Sequence, residues 1–493
     1  MRESLTIKEM QNKLYKEYQN KHSNLEKCLY LYDLHHNDPK SFFELANEHS
    51  IEFLPILYTP TIGDAVINYS KNYKYPLGLT ISYLDKGKIK EILQKAKEGF
   101  GSREMTIAVV TDGEGVLGIG DQGAGGIYIS LGKLMVYALC GDLDQSTTLP
   151  VMLDVGTNNN LLLDAPEYKG WRHPRIVGKE YYDFIDEFVR AFSEVFPNSF
   201  LHWEDFGREN ARSVLDKYRE IHPSFNDDIQ GTGVVALAAV LCGIKKSGIP
   251  LNKHKICIFG AGTAGCGIAN QLCRGLAIKQ RISFEEECKN FYLIDKNGLL
   301  LNNDESLLYF QKSFAHSPEE VSNWQLQKDN FIGLLEVIKN ACPTVLIGCS
   351  TATGAFTDEI LTEMYRYNKK PIIMPISNPT SKAEATPDRI IKCTDGNALI
   401  ATGSPFTPVT YNGHEIKISQ CNNALVFPGI GIGMVESKAK VLTDKMLLES
   451  SEVLAKEAEL NASDTNCLLP GFEKVKEISK KIAQQIINSA GCV

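Results

Sequence analysis

The sequence lacks the features that would suit a membrane or a nucleic-acid partner. Its longest apolar run, Val234 to Ile244, is shorter than the roughly 18 residues that a membrane span needs. Acidic residues outnumber basic ones, 60 to 52, and no block of the sequence carries the basic excess that nucleic acids and anionic lipids attract. We therefore expect no membrane and no nucleic acid as partners, and a small molecule as the ligand.

Cysteine and histidine pairs with metal-site spacing are also missing. The 13 cysteines include no C-x-x-C pair, and several lie in apolar runs, which predicts buried thiols in a reducing compartment. The N-terminus lacks the apolar core of a secretion signal, so we expect a cytoplasmic protein. The ten histidines include no H-x-x-x-H pair, which leaves a helical zinc site without ligands. A metal would need oxygen ligands.

The pattern of apolar residues predicts an α/β protein. With 493 residues, the chain is long enough for two to four packed units. From about residue 105, short β-branched runs alternate with helical patterns, which is typical of parallel sheets with crossover helices. We predict an N-terminal α/β domain over residues 1–248, a Rossmann-type, doubly wound domain over 249–435 and a C-terminal helical segment over 436–493, with further helices at the N-terminus.

A glycine-rich turn in the second half indicates a dinucleotide site. A buried strand ending at Phe259 runs into G-x-G-x-x-G and then a helix, so the pyrophosphate would lie on the helix N-terminus, against the turn residues Gly260, Gly262, Thr263, Ala264 and Gly265. Asp295 ends the next strand and would bind the ribose hydroxyls. An acid there repels a 2′-phosphate, which favours NAD over NADP. The alternative is a glycine turn with no ligand.

The first half of the chain contains two pairs of acidic residues. One pair follows a strand-like segment, and the other precedes a helical segment. Glu204 and Asp205 come after the run Phe200 to Trp203, and they can converge only where the chain turns, which Gly207 permits. Asp227 and Asp228 precede an apolar helix, where one of them could simply cap the helix N-terminus. Gathered carboxylates would otherwise need a cation between them, and oxygen ligands suit Mg²⁺ or Mn²⁺. Spacing alone leaves both interpretations open.

Two further residues are candidates for proton transfer. Lys133 lies in a helix with apolar neighbours on every side, so its amine either snorkels to water or loses enough hydration to titrate as a base. Tyr58 lies in Pro55 to Gly63, a segment whose two prolines and glycine predict a turn-rich loop. A tyrosine in such a place is more often a packed ring than an acid.

Taken together, these segments resemble the malic enzyme family over roughly residues 25 to 445. The resemblance is carried by a series of motifs in the same order along the chain: Tyr58-Thr59-Pro60-Thr61, Val110-Thr111-Asp112-Gly113, Leu117-Gly118-Ile119-Gly120-Asp121, Gly132-Lys133-Leu134, Asp154-Val155-Gly156-Thr157-Asn158, Glu204-Asp205-Phe206, Phe225 to Thr232, Ser377-Asn378-Pro379-Thr380, Gly403-Ser404-Pro405-Phe406 and Asn422-Asn423.

The resemblance implies oxidative decarboxylation of L-malate to pyruvate and CO₂ with a nicotinamide cofactor and Mn²⁺ or Mg²⁺. It implies Glu204, Asp205 and Asp228 as metal ligands and Asp227 as a neighbour that orients Lys133. Lys133 would be the general base and Tyr58 the general acid, and Asn378 and Asn423 would contact malate or the nicotinamide. The family is generally oligomeric, so a homodimer or homotetramer is expected. Gln311, near a position where NADP-specific relatives tend to carry lysine, agrees with NAD.

One departure from the family pattern concerns the substrate. Many malic enzymes carry an arginine that holds a malate carboxylate at the position of Gly115. The pair Glu114-Gly115 and the segment Leu201 to Arg208 also resemble malolactic enzymes, which use the same cofactors but make lactate. The segments Tyr58 to Pro60, Gly170 to Pro174 and Gly403 to Phe406 are similar to bacterial NAD-linked malic enzymes. We favour the malic reaction and keep the malolactic reaction as the alternative.

Overall fold

The computed structural model describes residues 7–326, 331–460 and 466–491. The chain forms two compact units, one of Met1–Asn226 with Met434–Val441 and one of Asp227–Gly433 with Leu442–Val493. Each unit contains a largely parallel sheet with helices between its strands. The predicted α/β class is confirmed.

The first unit opens with five helices, which confirms the predicted helical N-terminus within the described residues. They are α1 Ile7–Gln19, α2 Asn24–Asn37, α3 Pro39–Glu48, α4 Ser50–Leu57 and α5 Ile62–Ile67. The Ser23 and Asp38 side chains cap α2 and α3 by accepting hydrogen bonds from backbone N–H groups two or three residues inside each helix. The loop expected over Pro55 to Gly63 is shorter than predicted, because Pro55 lies within α4 and α5 begins at Ile62.

The first sheet has five parallel strands in the order β1-β3-β2-β4-β5. The strand-like run Phe200 to Trp203 is strand β4, and the apolar helix α7 packs against the sheet with nearly all of its residues buried. The elements are β1 Leu79–Ser82, α6 Ile89–Glu98, β2 Ile107–Thr111, α7 Ile127–Gly141, β3 Thr148–Asp154, α8 Asn160–Leu163, α9 Gly178–Val195, β4 Phe200–Trp203, α10 Arg208–Tyr218 and β5 Ser224–Asn226.

The second unit contains a seven-stranded sheet in the order β14-β11-β10-β9-β6-β7-β8, parallel except for the edge strand β8. The chain leaves β6 for β7 on one side and reaches β9 on the other, which is the doubly wound arrangement that was predicted. Its elements are α11 Thr232–Ser247, β6 Ile256–Phe259, α12 Thr263–Gln280, α13 Phe284–Cys288, β7 Phe291–Asp295, β8 Gly298–Leu299, α14 Pro318–Val321, α15 Leu334–Ala341, β9 Val345–Gly348, α16 Asp358–Tyr367, β10 Ile372–Pro375, α17 Pro387–Cys393, β11 Leu399–Thr402, the hairpin β12 Val409–Tyr411 and β13 His414–Ile416, and β14 Ser419–Gln420.

Three helices close the chain: α18 Phe427–Ser437, α19 Asp444–Glu459 and α20 Val475–Ala490. The units divide between Asn226 and Asp227, whereas the sequence placed a boundary at residue 248. The difference arises because α11 packs within the second unit. There the Ser451 hydroxyl donates to the Val234 carbonyl over 3.0 Å, and a Cβ on Gly275 would lie 2.4 Å from the Leu237 side chain.

Two helical stretches are long and apolar enough to cross a membrane by length and composition alone, Gly123–Gly141 and Asp227–Ser247. Their apolar windows are 100% and 89% buried inside the fold, so both are core helices. Most of the twelve cysteines in the described ranges are buried, as the sequence predicted.

Candidate functional site

Acidic residues gather at the carboxyl edge of the first sheet. Trp203, the last residue of β4, pairs with Val110 of β2 and with Asn226, the last residue of β5. Glu204 continues from β4, and the backbone of Asp205 then enters the left-handed region with φ +54°. The turn therefore falls on Asp205 rather than on Gly207. It brings the carboxylates of Glu204 and Asp205 within 4.8 Å of each other, both buried.

Lys133 extends from the middle of α7 toward these carboxylates. Its side chain is 3% exposed, and its Nζ lies 3.1 Å from Glu204 Oε1, so the alternative in which the amine snorkels to water is wrong. The same Nζ lies 5.2 Å from the centre of the Tyr58 ring. The glycine at position 132 lets helix α7 lie close to the Tyr58 ring, because a Cβ at this position would be only 3.0 Å from Tyr58 Cδ2. The structure thus brings Tyr58, Lys133 and Glu204 together.

Two residues behind Glu204 were missed by the sequence analysis. The buried His202 ring bonds Glu204 Oε2 through Nε2 over 2.8 Å and the Tyr137 hydroxyl through Nδ1 over 2.9 Å. Tyr137 lies one helical turn beyond Lys133 on α7, and residues four apart share a helix face. The four-residue spacing of Lys133 and Tyr137 was the signal in the sequence that the two side chains lie on the same helix face. It did not reveal that His202 on β4 lies opposite Tyr137. Together these contacts fix the orientation of the Glu204 carboxylate.

A loop over residues 112–122 lies against Asp205. The Gly115 N–H donates to the Asp205 carbonyl oxygen over 2.9 Å, and the Leu117 N–H lies 3.4 Å from Asp205 Oδ1. A Cβ on Gly115 would lie 2.7 Å from the Phe206 carbonyl oxygen. An arginine at position 115 would therefore require the backbone after Asp205 to move.

Arg175 holds both ends of this loop. Its Nε and Nη2 donate to the two carboxylate oxygens of Asp121 over 2.6 and 2.9 Å, and Nη2 also donates to the Asp112 carbonyl over 2.9 Å. Burial would raise the pKa of Asp121, but the hydrogen bonds and charge of Arg175 hold that pKa below its usual range. Burial dominates at Asp112 and raises its pKa, against the opposing effects of Arg175 and Tyr181.

In the second unit, Asp227 and Asp228 open a π-helical turn, Asp227–Gly231, that precedes α11. The N-cap position of α11 is Gly231, and the π-helical turn separates both aspartates from Thr232, the first residue of α11. Asp227 is buried, and its Oδ2 and carbonyl oxygen each accept a hydrogen bond from Asn423 Nδ2 over 3.1 Å. π-Helical turns occur frequently at functional sites.

The glycine-rich turn has the geometry of a dinucleotide loop. Gly260 has φ +112°, and a Cβ there would lie 2.7 Å from Ser350 N. A Cβ on Gly265 would lie 1.8 Å from the Gly260 carbonyl oxygen, so only glycine lets α12 approach the strand. At Gly262 nothing lies within 4 Å of such a Cβ. The open space faces the start of α12, where Thr263 and Ala264 begin an 18-residue helix with partial positive charge at its N-terminus.

The other predicted cofactor residues follow strands of the same sheet. Asp295 ends β7, and Gln311 Nε2 lies 3.2 Å from Asp295 Oδ2 while donating to the Ala261 carbonyl over 2.8 Å. The long spacing between Gly265 and Asp295 is filled by the rest of α12 and by α13, as predicted. Asn378, exposed after β10, accepts a hydrogen bond from the Ser404 hydroxyl.

Two family models match the chain. One, described as malic enzyme, N-terminal domain, covers residues 35–219, and the other, malic enzyme, NAD binding domain, covers 229–491. The chain belongs to the malic enzyme family. Among its relatives, NAD-dependent malic enzyme 3 of Bacillus subtilis (strain 168) is 46% identical over 487 residues, which is 99% of this chain and 85% of that protein. The NAD-dependent malic enzyme of Pseudomonas savastanoi pv. phaseolicola is 44% identical over 485 residues, covering 98% and 85%.

Solved malic enzyme structures share the fold. The malic enzyme of Pyrococcus horikoshii Ot3 aligns with TM-score 0.59 and 22% identity over 90% of this chain and 84% of that one. The NAD-dependent malic enzyme of Thermotoga maritima aligns with TM-score 0.57 and 22% identity over 88% and 92%. Strands β1 to β4 of the five-stranded sheet lie within the residues matched by the N-terminal domain model, and the whole seven-stranded sheet lies within those matched by the NAD binding domain model.

Proposed function

We propose that this malic enzyme oxidises L-malate with NAD and decarboxylates it to pyruvate and CO₂, with Mn²⁺ or Mg²⁺ as metal cofactor. The observation that carries the proposal is the buried group at the carboxyl edge of the first sheet, where Lys133 lies 3.1 Å from Glu204 and beside the Tyr58 ring. Relatives at 42–46% identity over nearly the whole chain bear the name NAD-dependent malic enzyme, which supports the same reaction.

Glu204, Asp205 and Asp228 are the proposed metal ligands. Trp203 and Asn226 are register partners at the ends of parallel strands, so the residues that directly follow each of them leave the sheet at the same edge. Buried carboxylates such as Glu204 and Asp205 are unfavourable without cations nearby, and an all-oxygen set fits Mn²⁺ or Mg²⁺. A divalent cation bound there would act as a Lewis acid on the C2 oxygen of malate.

Two side chains would move the protons. Lys133 would accept the proton of the C2 hydroxyl as the hydride leaves C2, and Tyr58 would donate a proton to C3 after CO₂ departs. The Lys133 amine lies 5.2 Å from the centre of the Tyr58 ring, and this proximity is the basis for proposing that Lys133 returns the proton to Tyr58. Both side chains are buried, which would limit the access of bulk water to C3 before Tyr58 protonates it. Asp227 would orient Lys133.

The second unit would bind NAD. The open space at Gly262 would receive the pyrophosphate against Gly260, Thr263, Ala264 and Gly265, and bound NAD would accept the hydride. Asp295 would bind the ribose hydroxyls, and its negative charge favours NAD over NADP. Asn378 and Asn423 would contact malate or the nicotinamide, because both follow strands at the carboxyl side of the sheet.

We also propose that the enzyme lies in the cytoplasm, because buried cysteine thiols suit a reducing compartment. A homodimer or homotetramer is the assembly we propose. Apolar side chains of the N-terminal helices, Ile51 and Ile67, are 64% and 51% exposed in the single chain, which is consistent with burial against another copy. Light scattering after size-exclusion chromatography measures the assembly, and a monomer at micromolar concentration would contradict it.

Product analysis tests the proposed reaction. The purified protein is incubated with L-malate, NAD and Mn²⁺, the reduced-nicotinamide absorbance is followed, and pyruvate and lactate are measured. The proposal predicts pyruvate and NADH in equal amounts. Lactate without NADH would instead support the malolactic reaction, the alternative suggested by the resemblance of Glu114-Gly115 to malolactic enzymes. No product, with NAD still bound, would contradict both.

A further inference from the structure

The loop over residues 112–122 connects a buried arginine to a proposed metal ligand. Arg175 bonds Asp121 at one end of the loop and the Asp112 carbonyl at the other. The middle of the loop contacts Asp205 through the N–H groups of Gly115 and Leu117. These contacts connect Arg175 to Asp205 through the loop, so the effect of Arg175 on Asp205 is indirect.

The loop would not keep its shape by local preference. Leu117 has φ +43°, an unfavourable conformation for a residue with a branched side chain. Three glycines of the loop also have positive φ: Gly113, Gly118 and Gly120. A hydrogen bond from Gln122 N to the Gly113 carbonyl closes the base of the loop. A conformation of this kind persists only when surrounding contacts hold it, and the buried Arg175 supplies those contacts at both ends.

Both ends of the loop are themselves anchored. Asp121 Oδ1 accepts from the Thr157 hydroxyl over 2.8 Å, and Oδ2 accepts from Asn158 N over 2.7 Å. The fully buried Asp112 carboxylate accepts from the Tyr181 hydroxyl over 2.7 Å. The forked guanidinium can reach a carboxylate and a carbonyl at once, whereas an ammonium would hold fewer of these oxygens in a fixed geometry.

We propose that Arg175 is a positioning residue for the divalent cation: by holding both ends of the loop 112–122, it fixes Asp205 in the orientation needed for ligation. This inference depends on the proposed function, in which Asp205 is a ligand. It also gives a reason for Gly115, because a side chain at that position would push the Phe206 carbonyl away and loosen the same contact. Partners that orient metal ligands commonly change metal affinity by about 10- to 100-fold when removed.

Manganese binding without substrate provides the test. Free Mn²⁺ is measured by electron paramagnetic resonance during titration of wild type, Arg175→Lys, Arg175→Gln and Gly115→Ala, and the affinity for NAD is measured separately. We expect the dissociation constant for Mn²⁺ to rise about 10- to 100-fold in Arg175→Gln. A smaller rise is expected in Arg175→Lys, and Gly115→Ala should show a rise as well. The affinity for NAD should stay within twofold of wild type.

Two controls separate this role from general stability. Leu93→Ala removes a fully buried side chain of α6 and should lower the melting temperature while leaving Mn²⁺ affinity unchanged. If Arg175→Gln does not fold, Gly115→Ala tests the same contact from the other side. Unchanged Mn²⁺ affinity in a folded Arg175→Gln and in Gly115→Ala would overturn the inference and leave the proposed function intact. A wild-type protein that binds no Mn²⁺ would instead overturn the metal site itself.

Discussion

Replacing Lys133 by methionine tests the chemistry at the carboxyl edge of the first sheet. Methionine keeps most of the apolar stem inside α7 and removes the amine that lies 3.1 Å from Glu204 Oε1. Loss of a positioned general base lowers kcat by about 10²- to 10⁴-fold. Because the glycine-rich loop belongs to the second unit, the affinity for NAD should stay near the wild-type value.

The same substitution has a cost in stability that can be estimated from the contacts of Glu204. Removing one partner of a buried ion pair costs about 3–5 kcal/mol, because the other charge stays buried. Glu204 keeps its hydrogen bond with His202, so we expect the lower end of this range, about 3 kcal/mol. The loss should appear in the free energy of unfolding measured by urea denaturation without metal.

The assay for Lys133→Met combines steady-state kinetics for malate oxidation with NAD titration and denaturation. Lys179→Met is the matched control, because Lys179 is a lysine of α9 whose side chain is 86% exposed. That variant should keep the kcat and stability of the wild type. A kcat for folded Lys133→Met within threefold of wild type would refute the role of Lys133 as the base.

Three other predictions concern the coenzyme site and pH. Asp295→Asn removes the charge that disfavours a 2′-phosphate. The value of kcat/KM should therefore fall for NAD and rise for NADP by about 10-fold or more. A variant that still prefers NAD would contradict this prediction. Gly265→Ala places a Cβ 1.8 Å from the Gly260 carbonyl oxygen and should abolish the fluorescence enhancement of bound NADH. Gly491→Ala, whose Cβ would have its nearest neighbour at 3.8 Å, is the control for this clash and should keep the enhancement. Burial lowers the pKa of His222 from 6.5 to about 4, so protonation of His222 favours the unfolded state. The free energy of unfolding should therefore fall by about 3 kcal/mol between pH 6.5 and pH 4. In urea denaturation, His222→Gln should make this pH dependence weaker.

Features encoded in short segments were predictable. The glycine-rich turn, the strand before it and Asp295 at the next strand end all lie within one β-α-β unit, so spacing was enough to place them. The sequence allowed the carboxylates of Glu204 and Asp205 to converge only at a turn, for which it offered Gly207, and in the structure the turn falls on Asp205. Whether the Lys133 amine is buried could not be decided from the sequence, because an apolar helix accommodates either a buried amine or one that reaches water.

Features that depend on distant partners were not predictable. Arg175 and Asp121 are 54 residues apart, and nothing in either local sequence indicates the pair. His202 lies in a buried strand, where a histidine is usually a core residue, and its partner Tyr137 comes from α7. The apolar pattern of α11 predicted burial but not which sheet would bury it, so the expected boundary at residue 248 differs from the division at Asn226.

Anomalous diffraction from crystals grown with Mn²⁺ tests the central claim most directly, because it locates the cation without relying on turnover. The account predicts one strong manganese peak bonded to carboxylate oxygens of Glu204, Asp205 and Asp228, with the Lys133 amine beside the same cluster. A fully occupied manganese ion bound elsewhere, with these carboxylates bare, would contradict the account.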